Sequence, residues 1–200
     1  VGGVVGDANS NITITNCYNT GSVNASGDYV GGVVGFTRIG STVTNCYNIG
    51  SVSGSSYAVG GVVGRTNAST VTNCYNTGSV EGLGTYVGGV MGWANSSSTV
   101  TNCYNTGSIS GSGYYVGGVV GSIDDANTVT NCYNTGSVSG SYAVGGVVGF
   151  ADSSDSTISN TYYGGDCTLD VGIGSGSGSA VKIDKPVEEW AKNKDWYSAD

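Results

Sequence analysis

Valine and glycine alternate with serine, threonine and asparagine in a fixed rhythm along this chain. The block V-G-G-V-V-G begins at Val1, Val30, Val59, Val116 and Val144, with V-G-G-V-M-G at Val87. Between these blocks stands T-[VI]-T-N-C-Y-N, centred on Cys17, Cys46, Cys74, Cys103 and Cys132. Both landmarks advance by 28 or 29 residues. A degraded sixth copy, T-I-S-N-T-Y-Y-G-G at Thr157 to Gly165, carries Thr161 where the cysteine would be. Each period holds three short extended segments, of the kind Y-V-G-G-V-V, S-T-V-T-N-C-Y and G-S-V-S-G, separated by Gly, Ser, Asn and Asp. No helical stripe occurs between residues 1 and 165.

Self-similarity at such a period signals a solenoid, a propeller or an array. A propeller blade needs four strands in roughly 40 residues, so this period is too short for one. Three strands and three turns suit one coil of a parallel β-solenoid, and the all-β class follows. Stacked coils put equivalent residues about 4.8 Å apart in columns along the axis. Identical neighbours then reinforce one another, because Asn above Asn runs amide ladders and Tyr above Tyr stacks. The paired glycines mark places where backbone approaches closely or turns with positive φ.

Strand parity poses a question inside T-V-T-N-C-Y. In a straight strand Val, Asn and Tyr share one face while both Thr and the Cys share the other. Burying Val would then expose the cysteines. Burying both requires a bend at the Asn, a residue that tolerates the left-handed conformation, and we expect the bend. The cysteine spacing is unlike the paired C-x-x-C of zinc or redox sites. Neighbouring thiols one coil apart meet the Cα criterion for a disulfide, but parallel in-register Cβ atoms lie beyond the usual separation, and five members cannot pair evenly. A column of reduced, buried thiols is expected. Cys167 lies outside it and could reach Cys132 only by a loop excursion.

Composition narrows the picture. Glycine supplies 37 of 200 residues, with one proline and no histidine, and only 10% of residues are charged. Abundant Val, Thr and Tyr with little Leu favours strands. Disorder would bring high charge and few aromatics, the reverse of what stands here. The net charge is −8, and residues 1–150 hold only five acids and two arginines. An acidic chain without a basic patch argues against nucleic acid and anionic membrane as partners. No apolar run is long enough to span a bilayer and no signal peptide is visible, so no membrane insertion is expected. The opening in mid-pattern suggests a piece of something longer.

Catalytic chemistry has little to stand on. Without histidine there is no Ser-His or Cys-His pair. Paired carboxylates are limited to Asp124 with Asp125 and Asp152 with Asp155, in turns where solvated loop acids are expected. V-G-G-V-V-G lacks the Lys-Ser/Thr ending of a phosphate loop. The G-G-D-C-T-L-D stretch from Gly164 is one imperfect copy of a calcium-binding repeat and cannot form a shared site. Sequons at Asn11, Asn24, Asn67 and Asn95 are what an Asn- and Ser-rich chain produces by chance. No catalytic, cofactor-binding or metal site is expected, and no cofactor.

The candidate interaction face is the double row of threonines. Thr13 with Thr15, Thr42 with Thr44, Thr70 with Thr72, Thr99 with Thr101, and Thr128 with Thr130 turn their hydroxyls to one side of the strand. Stacking makes two parallel rows, an array similar to the ice-binding face of some β-solenoid antifreeze proteins, although Thr also simply suits the solvent side of a strand.

The G-G-V-V-G and N-C-Y-N-T-G-S-V-S-G blocks at this spacing resemble the GLUG repeat family of bacterial surface proteins. The resemblance covers residues 1 to about 165, with Val in place of the usual Leu of the glycine block. Such repeats stand in large secreted or wall-attached proteins, including adhesins and non-catalytic regions of some immunoglobulin-A peptidases. The resemblance implies display outside the cell, at the cell surface, and no reaction. The expected organisation is a solenoid over 1–165, a Gly/Ser linker over 166–179 and a helical cap, or the start of a next domain, over 180–200. Asp184 as N-cap, Pro186 in the first turn, then Val187, Trp190 and Ala191 on one face, carry that helix. Function is expected to be structural or adhesive, as stalk, adhesin or filament subunit. The alternative is a ligand-binding Thr face for ice or glycan. Expected partners are other surface proteins, host or environmental glycans, or copies of the chain itself.

Overall fold

A computed structural model describes residues 1–183 apart from residues 56, 153 and 154. The chain winds as a parallel β-solenoid of about six coils, with four sheets running along its axis. The first sheet holds seven strands, from Val5–Asn9 through Val34–Arg38 and Met91–Asn95 to Ile173–Gly176. The second gathers the short strands that end in the first glycine of each block, such as Tyr29–Gly31 and Tyr86–Gly88. The T-V-T and Y-N pieces build the third, and strands such as Val52–Gly54 the fourth.

The three central coils therefore have five short strands each where the pattern predicts three, and the coil from Tyr115 has four because Thr128–Asn134 runs as one strand. Both extra breaks have local causes. In V-G-G-V-V-G the chain folds back at the glycine pair, so two strands of one coil pack nearly backbone to backbone. A Cβ on Gly60 would lie 2.7 Å from the amide nitrogen of Gly92, and one on Gly64 would lie 2.7 Å from the amide nitrogen of Val30. No side chain fits between those sheets. In T-V-T-N-C-Y-N the break is the first asparagine, which is left-handed in every coil. The φ values are 55° at Asn16, 53° at Asn45 and Asn73, 54° at Asn102 and Asn131, and 50° at Asn160. One left-handed residue resets the alternation. The valine before it and the cysteine after it both point inward, as expected from the bend: Val43, Val71, Val100 and Val129 are fully buried, and so are Cys46, Cys74, Cys103 and Cys132.

The core is a bundle of columns rather than a jigsaw of different side chains. Val30, Val59, Val87 and Val116 stack in register, as do Val52, Val80 and Ile109. Through the middle runs a polar column, the second asparagine of each N-C-Y-N. Asn48, Asn76, Asn105 and Asn134 are completely buried. The first three donate Nδ2 to Oδ1 of the next coil's asparagine, at 2.7 Å from Asn48 to Asn76 and 2.8 Å from Asn76 to Asn105 and from Asn105 to Asn134. Each also donates to the glycine carbonyl two residues on, as Asn76 does to Gly78 at 2.7 Å. The middle glycine of each block makes room for it, because a Cβ on Gly61 would lie 2.5 Å from Asn76 Cγ. On the outer side Tyr47, Tyr75, Tyr104 and Tyr133 stack with centroids 4.9 Å apart and rings within 4° of parallel.

The columns end where the repeat degrades. Tyr163 pairs with Asn134 and takes the next place in the asparagine column, its hydroxyl donating to the Asp170 carbonyl at 3.1 Å. Thr161 replaces the cysteine and donates to the Ser179 carbonyl at 3.0 Å. The stretch 166–179, expected as a flexible linker, is built into the solenoid instead. Its Ile173–Gly176 pairs with Val148–Ala151 as the last strand of the first sheet, and Cys167 is buried in the core. Glycine and serine there are compatible with a strand because the sheet below supplies the hydrogen-bond register. Val181–Ile183 pairs with Tyr162–Gly164, whereas the helix expected from Asp184 lies outside the described residues.

Two outcomes follow from the buried columns. Asn76→Ala removes an acceptor from Asn48, a donor from Asn105 and a donor from the Gly78 carbonyl. At about 1–3 kcal/mol for a buried polar group left unsatisfied, it lowers unfolding free energy by roughly 2–5 kcal/mol. Asn73→Gly keeps the left-handed turn and strips only exposed amide bonds, so it stays within about 1 kcal/mol of the parent. Urea unfolding of both variants measures the contrast, and equal losses would show that the buried ladder adds nothing. For the thiols, a soluble alkylating reagent labels half-buried Cys17 first and leaves Cys74 and Cys103 untouched until denaturant is added. Full labelling of the native protein would contradict this burial.

Candidate functional site

The predicted threonines lie together on the outside of the third sheet. Register pairs Thr13 with Thr42, Thr42 with Thr70, Thr70 with Thr99 and Thr99 with Thr128, and the second row runs Thr15, Thr44, Thr72, Thr101, Thr130. Thr13 and Thr15 are exposed and the other eight are half-buried. The hydroxyls partly satisfy one another and the adjacent turn. Thr101 Oγ1 lies 3.1 Å from Thr130 Oγ1, and Thr72 Oγ1 donates to Asn73 Oδ1 at 3.4 Å. Beside the rows runs a second amide ladder at the left-handed asparagines, with Asn73 donating to Asn45 at 3.2 Å and Asn102 to Asn73 at 3.1 Å. The result is a flat, polar, regularly spaced surface.

The cysteines form a second repeated set, turned inward. Each buried thiol donates to the carbonyl two residues before it, Cys74 to Thr72 and Cys103 to Thr101 at 3.2 Å. Burial, supported by hydrogen bonds along the column, holds Cys74 and Cys103 well above the ordinary thiol range, and the contact with Cys74 raises Cys46. A nucleophilic thiolate is therefore disfavoured at these positions. All six cysteines are free thiols, and Cys167 sits against the side chain of Asn134 rather than reaching Cys132. Among the described residues no group of three or more His, Cys, Asp or Glu is placed to hold a metal ion.

The acids divide. Asp125, Asp152 and Asp155 are exposed, as solvated loop acids are expected to be. Asp124 departs from that expectation: it is half-buried, accepts from Trp93 Nε1 at 2.7 Å and from Ser122 Oγ at 3.1 Å, and burial raises its pKa. It belongs to a feature that sequence reasoning missed. Outward positions on the two strands flanking the glycine corner form adjoining columns of large side chains. One runs Asp7, Phe36, Arg65, Trp93, Ser122 and Phe150 in register, with Phe36 and the small Ser122 buried. The other contains Tyr29, Tyr86 and Tyr115. Aligning the repeats on their glycines would have exposed the unusual variability of the first column. Its contact with the second depends on the fold-back at the glycine pair.

No curated protein matches the chain. The model of a family described as "The GLUG motif" matches residues 55–81. Among solved structures, one named "IgA1 Protease" aligns with 91% of this chain and 16% of its own, at TM-score 0.57 and 17% identity. Another, from Bacteroides ovatus and described as a candidate immunoglobulin A1 protease, aligns with 90% of this chain and 68% of its own, at TM-score 0.62 and 22% identity. The chain thus spans less than a fifth of the first of these proteins. The likeness to both is one of fold, and within that fold residues 55–81 of this chain match the GLUG motif.

Proposed function

We propose that this segment is a non-enzymatic display element of a secreted or surface-attached protein, a stalk or adhesive module. The observation that carries the reading is registration: the outward threonines of the repeat recur once per coil, so a weak contact is multiplied along the axis. The Thr rows with their asparagine ladder are the surface most fully repeated in this way. The GLUG motif and the likeness to immunoglobulin A1 protease solenoids support an extracellular setting. The peptidase names of those structures belong to them. In this chain the column thiols Cys46, Cys74 and Cys103 have raised pKa values, and the sequence has no histidine to activate a serine or cysteine. The same flat Thr array favours one second reading, recognition of a regular surface such as ice or a packed glycan.

Charged replacements at Thr70, Thr72, Thr99 and Thr101 test the reading. Thr70→Lys with Thr99→Glu, and Thr72→Glu with Thr101→Lys, place opposite charges on registered neighbours and so avoid like-charge repulsion. The quadruple variant keeps its far-UV spectrum, while particles coated with it attach to surfaces or to each other less than particles coated with the parent. Unchanged attachment and assembly would reduce the Thr face to strand filler. Cleavage of immunoglobulin A by the purified segment would overturn the non-enzymatic reading, and ice shaping by the parent would favour the second one.

A further inference from the structure

We propose that the cysteine column is a binding site for a soft, two-coordinate metal ion, held in line between thiols of successive coils. Mercuric ion is the species whose geometry and charge the column fits. The site lies inside the solenoid, goes beyond the display reading and uses none of the Thr rows.

The first observation is that the thiols repeat with their surroundings. The amide after each cysteine donates to the carbonyl of the previous coil's cysteine at 3.1 Å, from Tyr47 on Cys17 to Tyr133 on Cys103. Cys46, Cys74, Cys103 and Cys132 each donate to the carbonyl two residues back at 3.2 Å. Each also meets a second carbonyl, from the preceding coil, at 3.7 or 3.8 Å. Identical contacts mean identical side-chain directions, so sulfur follows sulfur at the spacing of the coils. The tyrosines beside them measure that spacing, with rings 4.9 Å apart from Tyr47 to Tyr133.

The second observation is what such a gap admits. It is far longer than a disulfide bond of about 2.05 Å, and all six cysteines are free thiols. A d10 ion binds thiolate at about 2.3 Å, so a linear sulfur–metal–sulfur unit spans roughly 4.6 Å, within a few tenths of an ångström of the coil spacing. Side chains stand roughly perpendicular to their sheet, so that line crosses each Cβ–Sγ bond at a wide angle, as bonding at sulfur requires. The carbonyls around each thiol turn the negative ends of their dipoles toward the column, which favours a cation. Zinc is a poor fit, because it takes four ligands in a tetrahedron. Among the described residues no group of three or more His, Cys, Asp or Glu is placed to supply them.

Charge selects the ion. The thiols from Cys46 to Cys132 are fully buried, and a net charge there is costly. Two thiols and one mercuric ion give a neutral dithiolate: two S–H bonds break, two Hg–S bonds form, two protons leave, and no electron changes hands. A monovalent ion between two thiolates would leave a buried negative charge. A sulfur committed to an ion on one side does not serve a second on the other. Five column thiols therefore hold two ions, in gaps that share no cysteine, and one thiol is left over. Half-buried Cys17 is the point of entry, and exchange between neighbouring thiols carries an ion inward. Cys167 stands beside Asn134, outside the column.

The test incubates the segment with mercuric chloride, desalts it in excess glutathione and counts the mercury in the monomeric fraction by mass spectrometry. Glutathione strips singly held mercury, whereas a paired site resists because the fold supplies its second thiol at high effective concentration. The parent retains two ions per chain, and X-ray absorption finds two sulfur neighbours around each. Serine replacements test adjacency, since Thr161 shows that the column accepts a hydroxyl at this position. Cys46→Ser with Cys103→Ser leaves no two column thiols adjacent, and retention falls to none. Cys103→Ser with Cys132→Ser leaves Cys17, Cys46 and Cys74, and one ion is retained. Both variants lose two thiols, so thiol number alone predicts equal retention. The proposal is overturned by a parent that retains other than two ions, by mercury with three or more sulfur neighbours, or by equal retention in the two variants. The first two readouts need no substitution, so a variant that fails to fold leaves the test standing.

Discussion

A buried amide column sets the geometry of this solenoid. Asn48, Asn76, Asn105 and Asn134 place polar groups where solvent cannot reach them, which is costly unless every group finds a partner. Each finds two kinds, a neighbouring asparagine of the column and a glycine carbonyl of its own turn. The first bond requires identical residues one coil apart in strict register. The second fixes the corner after the tyrosine. A slip by one residue would set a tyrosine or the residue after the asparagine against amide along the axis, so the column specifies register as well as contributing stability. The glycine that clears space for it, Gly61 against Asn76, could carry no side chain without displacing the ladder.

Two other constraints follow from this one. Coils held at strand spacing bring their tyrosines within stacking distance, and the outer Tyr ladder is the consequence. The same spacing places the cysteines one above another, where each thiol is occupied by a carbonyl of its own strand and held protonated by burial. Cysteine serves here as a small apolar filler with one weak donor. Valine in its place would lose that donor and add bulk to a tightly packed column.

The outer surface divides by how strictly it repeats. The Thr rows and the exposed amide ladder recur in almost every coil and present a uniform polar face. The strip of Phe36, Arg65 and Trp93 recurs in position but not in residue. In a stack whose interior rewards uniformity, an outward column free of that demand is where chemistry can be altered coil by coil without disturbing the core. The glycine corner contributes by bringing outward positions of two strands close enough for Tyr86 to stack on Trp93. Varied outward side chains and uniform architecture thus share a motif while using opposite faces of it.

Period and repeated identity were legible in the sequence, and with them the solenoid, its columns, the inward cysteines and the outward threonines. They were legible because a 28- or 29-residue repeat with uniform landmarks leaves few ways to stack. The bend at Asn45 and its equivalents was also within reach, since asparagine is a residue that accepts positive φ. Three features needed the tertiary structure. The break at the glycine pair looks like continuous strand in Y-V-G-G-V-V, and only the backbone of the facing sheet shows why no side chain is tolerated. Ile173–Gly176 has the composition of a linker and is a strand because a formed sheet offers it partners. Phe36 and Tyr29, or Trp93 and Tyr86, are seven residues apart in sequence and acquire a common surface only when the chain reverses between them. Sequence determined what repeats along the axis, because stacking contacts join equivalent residues. The neighbours across each coil were decided by how its corners close, and that depends on backbone packing absent from any single repeat.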